Sequence, residues 1–182
     1  MFNTIWITGI VESIPRNGEF LLQDKKNANF WIQGNPKYAE SLKIGQEATI
    51  QGKITTCVAK DKWCNNTKIQ CITLKYGREN LFHSQLPYFN HLIIDGIIGC
   101  YPQQEINPVT QTNNLTFLVY NNDKNHSRGI WCKAPLNQKG KIIKGKDVII
   151  KGNLHLGYQK NESGNWTDGT YLNVKKLMEG RL

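Results

Sequence analysis

Apolar and polar residues alternate one by one along much of the chain. Ile5, Ile7, Gly9 and Val11 alternate with Trp6, Thr8 and Ile10. Ala48, Ile50 and Ile54 alternate with Thr49, Gln51 and Lys53, and Val148, Ile150, Leu154 and Leu156 with Ile149, Lys151, Asn153 and His155. A period of two marks strands with one buried face. Leu115–Tyr120 and Gly129–Lys133 read as a hairpin with a polar tip at Asn121–Arg128. Gln70–Leu74 and Tyr171–Val174 read as late strands. The best helix signal is Pro36–Lys43, with proline at its start and Gly45 just past its end. Pro135–Lys141 reads as a loop.

The pattern occurs twice. Ile44–Ile54 returns as Lys144–Leu154, with Gly45 and Gly52 in register with Gly145 and Gly152. Phe2–Val11 is echoed by Phe89–Ile98, Pro15 by Pro102, and Trp31 by Trp131. A repeat this long describes two small domains rather than a solenoid, whose units are shorter. Each half carries about five strands, and a small unit of that kind escapes exposed edges best by closing into a barrel. Gly52 and Gly152 fall inside strands, where glycine permits a sharp bend. The expected organisation is all-β: a first domain over residues 1–76, a linker over 77–87 and a second domain over 88–182.

Composition narrows the partner. The chain has 182 residues, a net charge of +9 and a pI of about 9.3. Residues 1–82 carry 11 basic and 7 acidic groups, and residues 83–182 carry 12 and 7, so the halves hold +4 and +5. Positive charge shared by two folded units points to a polyanion, nucleic acid first. No run of 18 apolar residues occurs, so no membrane span is expected. The start, Met1-Phe2-Asn3-Thr4-Ile5, lacks the pattern of a signal peptide, and a cytoplasmic location is expected.

Cys57, Cys64, Cys71, Cys100 and Cys132 include no Cys-x-x-Cys pair. Cys57 and Cys71 are equidistant from Cys64, so a hairpin could set them face to face as a disulfide or metal pair. A reducing cytoplasm favours the other reading, free thiols packed as small apolar groups. His83, His91, His126 and His155 fall in no metal spacing, and Asp95 and Asp147 stand singly. The chain has no phosphate-binding glycine loop followed by Lys-Ser/Thr and no serine elbow. No enzyme activity and no cofactor are expected.

The order of these signals resembles a known family. An apolar strand with a glycine comes first, then a proline some six residues on, then a Trp-bearing strand. Lys/Ile-Gly-x-x-apolar-x-x-x-Gly-x-apolar and a polar hairpin follow. This resembles the bacterial single-stranded DNA-binding proteins, which are oligonucleotide/oligosaccharide-binding (OB) barrels. The stretch Ile130-Trp131-Cys132-Lys133-Ala134-Pro135 is similar to their relative, primosomal replication protein N. The resemblance covers nearly the whole chain, twice, and implies two tandem five-stranded OB-fold barrels. Gly9 to Trp31 spans 22 residues against 35 from Gly96 to Trp131, so the first half's long hairpin is cut down. The family's acidic tail ending in Pro-Phe has no match in Lys175–Leu182, so the recruiting role of that tail is not expected.

The resemblance implies single-stranded DNA as partner, with a role in DNA replication, recombination or primosome assembly. Replication or primosome proteins would be further partners, and a homodimer would carry four OB folds. Holding a single strand without reading its sequence takes flat aromatics for bases and cations for phosphates. Trp31 and Trp131, on the predicted third strands, are the leading stacking platforms; the competing reading places each in its core. The hairpins between the fourth and fifth strands supply Lys60, Lys62, Trp63 and Lys68 in the first half, and Tyr158, Lys160 and Trp166 in the second. Lys53 and Lys151 point away from the core if the alternation holds, and Lys133 neighbours Trp131. Stacking does not require deoxyribose, so an RNA-binding OB protein remains an open alternative. A protein-interaction adaptor built on OB folds is the other.

Overall fold

A computed structural model describes residues 2–13, 18–36, 41–59, 62–76, 88–106, 110–121, 129–160 and 166–180, with the backbone alone over 56–59, 62–68, 70–76, 156–160 and 166–169. The described residues are nearly all strand. They fall into two compact units, Thr4–His91, and Leu92–Leu182 together with Met1–Asn3. The expected linker at 77–87 and residues 37–40 of the expected Pro36–Lys43 helix lie outside the described residues.

The first unit contains β1 (Asn3–Val11), β2 (Glu19–Gln23), β3 (Asn29–Gln33), β4 (Glu47–Ala59) and β5 (Lys62–Tyr76). Their order is β2-β3-β5-β4-β1, and β1 also pairs with β2, so the five strands close on themselves. The second contains β6 (Asn90–Ile98), β7 (Gln103–Ile106), β8 (Asn113–Asn121), β9 (Gly129–Pro135), β10 (Asp147–Lys160) and β11 (Trp166–Glu179). There the order is β6-β10-β11-β9-β8, closed by pairing of β6 with β8, and β7 is an extra strand on the edge of β8.

Alternation explains which face is inside. Ile5, Ile7, Val11, Phe20, Leu22, Phe30, Ile32, Ala48, Ile50, Ile54 and Ile69 fill the first core. Leu92, Ile94, Ile98, Leu115, Phe117, Val119, Ile130, Cys132, Val148, Ile150, Leu154 and Leu172 fill the second. Each fully buried Ile, Leu or Phe contributes about 1.5–3 kcal/mol over its exposed state. The stretches predicted as strands from Ile5, Ala48, Leu115, Gly129 and Val148 are all strands.

Closure needs close backbone approach at two matching glycines. β1 pairs with β4 along Ile5–Ile10 and with β2 at Ile10–Val11. A Cβ at Gly9 would lie 2.2 Å from the Gln23 carbonyl oxygen, and one at Gly96 would lie 2.2 Å from that of Tyr120. The ladders also shift register between Gln51 and Gly52 and between Lys151 and Gly152. Such bulges add the local twist that a closing sheet requires.

Three expectations are corrected. Pro135–Lys141 is not a loop: Leu136–Lys141 forms a 3-10 helix behind Pro135, whose φ of −66° and ψ of 154° hold it extended. The late hairpins are longer than the sequence pattern implied. β4 and β5 pair out to Ala59 and Lys62, and β10 and β11 out to Lys160 and Trp166. Cys57 and Cys71 do not face each other, because Ala59 pairs with Lys62, which sets the β4–β5 register off from one centred on Cys64. Cys57 therefore pairs with Asn66, and Cys71 with Gly52. Cys100 and Cys132 are free thiols.

Candidate nucleic-acid interface

β3 shows a clean alternation, with Phe30 and Ile32 buried and Asn29, Trp31 and Gln33 exposed. Two aromatic-aliphatic residues inside force the indole between them onto the outer surface. Trp31 keeps 47% of its surface in solvent. An exposed indole on a strand has a flat face on which an aromatic ring can stack. Its register partner on β2 is Leu21 and on the parallel strand β5 is Lys68, which pairs in turn with Thr55 on β4. The next row outward runs Glu19, Gln33, Gln70, Lys53. Lys53 is exposed, as the alternation on β4 predicts. The structure thus brings Trp31, Lys68 and Lys53 to neighbouring positions on one set of strands.

Lys62, Trp63 and Lys68 belong to β5 itself rather than to a loop, and Lys60 lies outside the described residues. Tyr158 and Lys160 stand on β10 opposite Asp168 and Trp166. For Lys62, Trp63, Lys68, Tyr158, Lys160 and Trp166 the described structure is the backbone register. That register makes two antiparallel arms, one in each unit.

The second unit presents a corresponding face with different contents. Ile130 and Cys132 point inward, which turns Trp131 outward, but Trp131 is half-buried where Trp31 is exposed. Its register partner on β8 is Leu118. Leu118 packs over Gly129, where a Cβ would lie 2.7 Å from a Leu118 methyl carbon. On β11, Leu172 and Asn173 pair with Cys132 and Lys133, so Tyr171 comes one step back beside Trp131. Tyr171 pairs with His155 on β10, and their rings stack with centroids 5.8 Å apart at 21°.

Lys133 is not an exposed cation. It is 8% exposed, and its Nζ lies 3.3 Å from Glu105 Oε2 on β7 and 4.7 Å from the centre of the Tyr171 ring. Glu105 Oε2 also accepts a hydrogen bond from Thr116 Oγ1 at 2.7 Å. Burial, and secondarily the Glu105 carboxylate, push the Tyr171 phenol above its ordinary pKa. Lys151 is half-buried on the other side of the β10 bulge, in register with Ile93 and Lys176, and is not brought beside Trp131.

Sequence reasoning missed Tyr171, His155 and Glu105. The alternation Tyr171-Leu172-Asn173-Val174 was a usable signal for Tyr171, since Leu172 and Val174 are buried. No local signal joined Glu105 to Lys133, which are 28 residues apart. Among the described residues, no three His, Cys, Asp or Glu side chains gather as a metal site, and no helix is long and apolar enough to cross a membrane.

The fold has solved counterparts. The chain is similar to the wild-type single-stranded DNA binding protein from Thermus aquaticus, with a TM-score of 0.70, 12% identity, and coverage of 99% of this chain and 93% of that one. It is similar also to a deletion mutant of that protein, with a TM-score of 0.68, 11% identity and coverage of 99% and 95%. Identity this low establishes the shared OB-type fold. No family model and no curated protein sequence matches the chain.

Proposed function

We propose that the chain is a tandem of two OB barrels that binds single-stranded DNA by base stacking and phosphate contact. The observation that carries the reading is the exposed Trp31, turned outward between buried Phe30 and Ile32. A base stacked on such a ring contributes about 1–3 kcal/mol whatever its identity. The net charge of +9 supplies attraction to phosphate. The likeness to a single-stranded DNA binding protein along 99% of the chain supports the same reading.

Trp31 and Trp131 act as stacking platforms, and Lys53, Lys68 and Lys151 act as phosphate contacts. The arms bearing Lys60, Lys62 and Trp63, and Tyr158, Lys160 and Trp166, clamp the strand. Loops and hairpins at this place in OB folds commonly take that part. The protein acts without a cofactor and without enzymatic turnover, in DNA replication, recombination or primosome assembly. A homodimer would offer four barrels to one strand.

Fluorescence titration with oligo-dT, oligo-U and duplex DNA at two salt concentrations tests this. Tryptophan quenching and tighter binding to oligo-dT than to duplex are expected. Tighter binding to oligo-U would make the partner RNA. Absence of binding to all three would favour a protein-interaction adaptor.

A further inference from the structure

The two outer faces are built on the same register yet differ in one charge relationship. In the first unit, Gln33 follows Trp31 by two residues and pairs with Gln70 on β5. In the second, Lys133 follows Trp131 by two residues and pairs with Asn173 on β11. The second face thus has a cation where the first has an amide. That cation is already occupied. Glu105 on β7 holds Lys133 Nζ at 3.3 Å, and Thr116 Oγ1 holds the same carboxylate oxygen at 2.7 Å. β7 is the extra strand, and the described part of the first unit has no counterpart of it.

A carboxylate on a lysine beside an aromatic ring occupies the position a phosphate oxygen would take. Both are anionic oxygens that accept a charge-assisted hydrogen bond from the ammonium. Lys133 and Glu105 together present no net charge, and the side chains are only 10% and 19% exposed. Trp131 is half-buried in the same neighbourhood, whereas Trp31 is 47% exposed.

We propose that Glu105 is an intramolecular competitor for nucleic-acid phosphate at Lys133, making the Trp131 face the weaker of two unequal single-strand sites. This inference rests on the reading of the chain as a single-stranded DNA-binding protein and sets how that protein divides its affinity. The Trp31 face is open and engages first. The Trp131 face engages only when phosphate displaces the Glu105 carboxylate from Lys133.

Binding of oligo-dT across a salt series tests it in the full chain with Glu105→Gln. The amide keeps an acceptor for Thr116 but removes the negative charge held against Lys133. Affinity should rise several-fold, and the plot of log K against log salt should steepen by about 0.7, one more phosphate neutralised. Glu179→Gln is the control, because Glu179 is an exposed carboxylate paired with Lys146. An equal gain in that variant would mean that any lost negative charge suffices, and would overturn the proposal. The double variant Lys133→Gln/Glu105→Gln should return to the wild-type slope, since the pair contributes no net charge there. A shallower slope in the double variant would mean that Lys133 neutralises phosphate in the wild type with no offset from Glu105, and would overturn the proposal even if Glu105→Gln does not fold. Wild-type binding with an unchanged slope in Glu105→Gln defeats this inference alone. Absence of wild-type binding defeats the DNA-binding reading with it.

Discussion

Gly145 donates its backbone N–H to the carbonyl of Ile98 at 2.7 Å, from a left-handed φ of +83°. Gly45 does the same to Val11 at 2.8 Å, from a φ of +80°. The reciprocal bonds also match: the Ile98 N–H donates to the Lys146 carbonyl at 3.1 Å, and the Val11 N–H donates to the Gln46 carbonyl at 2.9 Å. The glycine that recurs in the sequence is therefore a turn that fastens β1 to the start of β4 and β6 to the start of β10.

Two glycine substitutions separate backbone strain from crowding. Gly145→Ala meets nothing within 4 Å, so its cost is the left-handed conformation alone, about 1–2 kcal/mol. Gly96→Ala puts its Cβ 2.2 Å from the Tyr120 carbonyl oxygen, which cannot move without opening the β6–β8 pairing. Its cost should reach about 3 kcal/mol, the upper end for forced overpacking. Denaturant melts of the two variants should differ accordingly; equal losses would contradict closure of the sheet through the β6–β8 pairing.

Trp31→Ala should weaken oligo-dT binding by about 1–3 kcal/mol, the contribution of one stacked base. The melting temperature should change little, because the ring is 47% exposed and lies outside the core. Trp131→Ala should lower stability more, because its ring is half-buried beside Leu118. A thermal melt beside each binding isotherm separates the two roles.

Lys53→Gln should reduce affinity modestly and make the salt slope shallower by about 0.7, the value for one single-strand phosphate. Lys53 is exposed in the row beyond Trp31, so its charge is open to a ligand. A slope identical to wild type would remove Lys53 from the interface.

Cys132 should make stability fall at alkaline pH. Complete burial pushes its thiol above the ordinary range, with the nearby Cys100 as a lesser cause. The unfolded thiol ionises near pH 8.5 while the folded one stays neutral. Its contribution is therefore full below about pH 8.5 and is lost as pH rises toward the folded value. Cys132→Ala should melt with a weaker pH dependence between about pH 8 and 10. The wild-type thiol should also resist thiol reagents until the protein unfolds.

The alternation along Ile5–Val11, Ala48–Ile54 and Val148–Leu154 determined the strands and their buried faces. Side chains on successive strand residues point to opposite sides whatever the fold, so that information is local. The paired glycines were legible for the same reason, since a left-handed φ or a bulge is a property of a few consecutive residues. Parity also placed Trp31 outward once Phe30 and Ile32 were known to be inside. Which strand lies beside which was decided only in the tertiary structure. The pairing of Ala59 with Lys62 set the register that parts Cys57 from Cys71 and carries Lys62 and Trp63 onto β5. The extra strand β7 brought Glu105 against Lys133 from 28 positions away, turning an apparent surface cation into half of a buried pair. Charge compensation depends on distance in space, and no spacing along the chain encodes it.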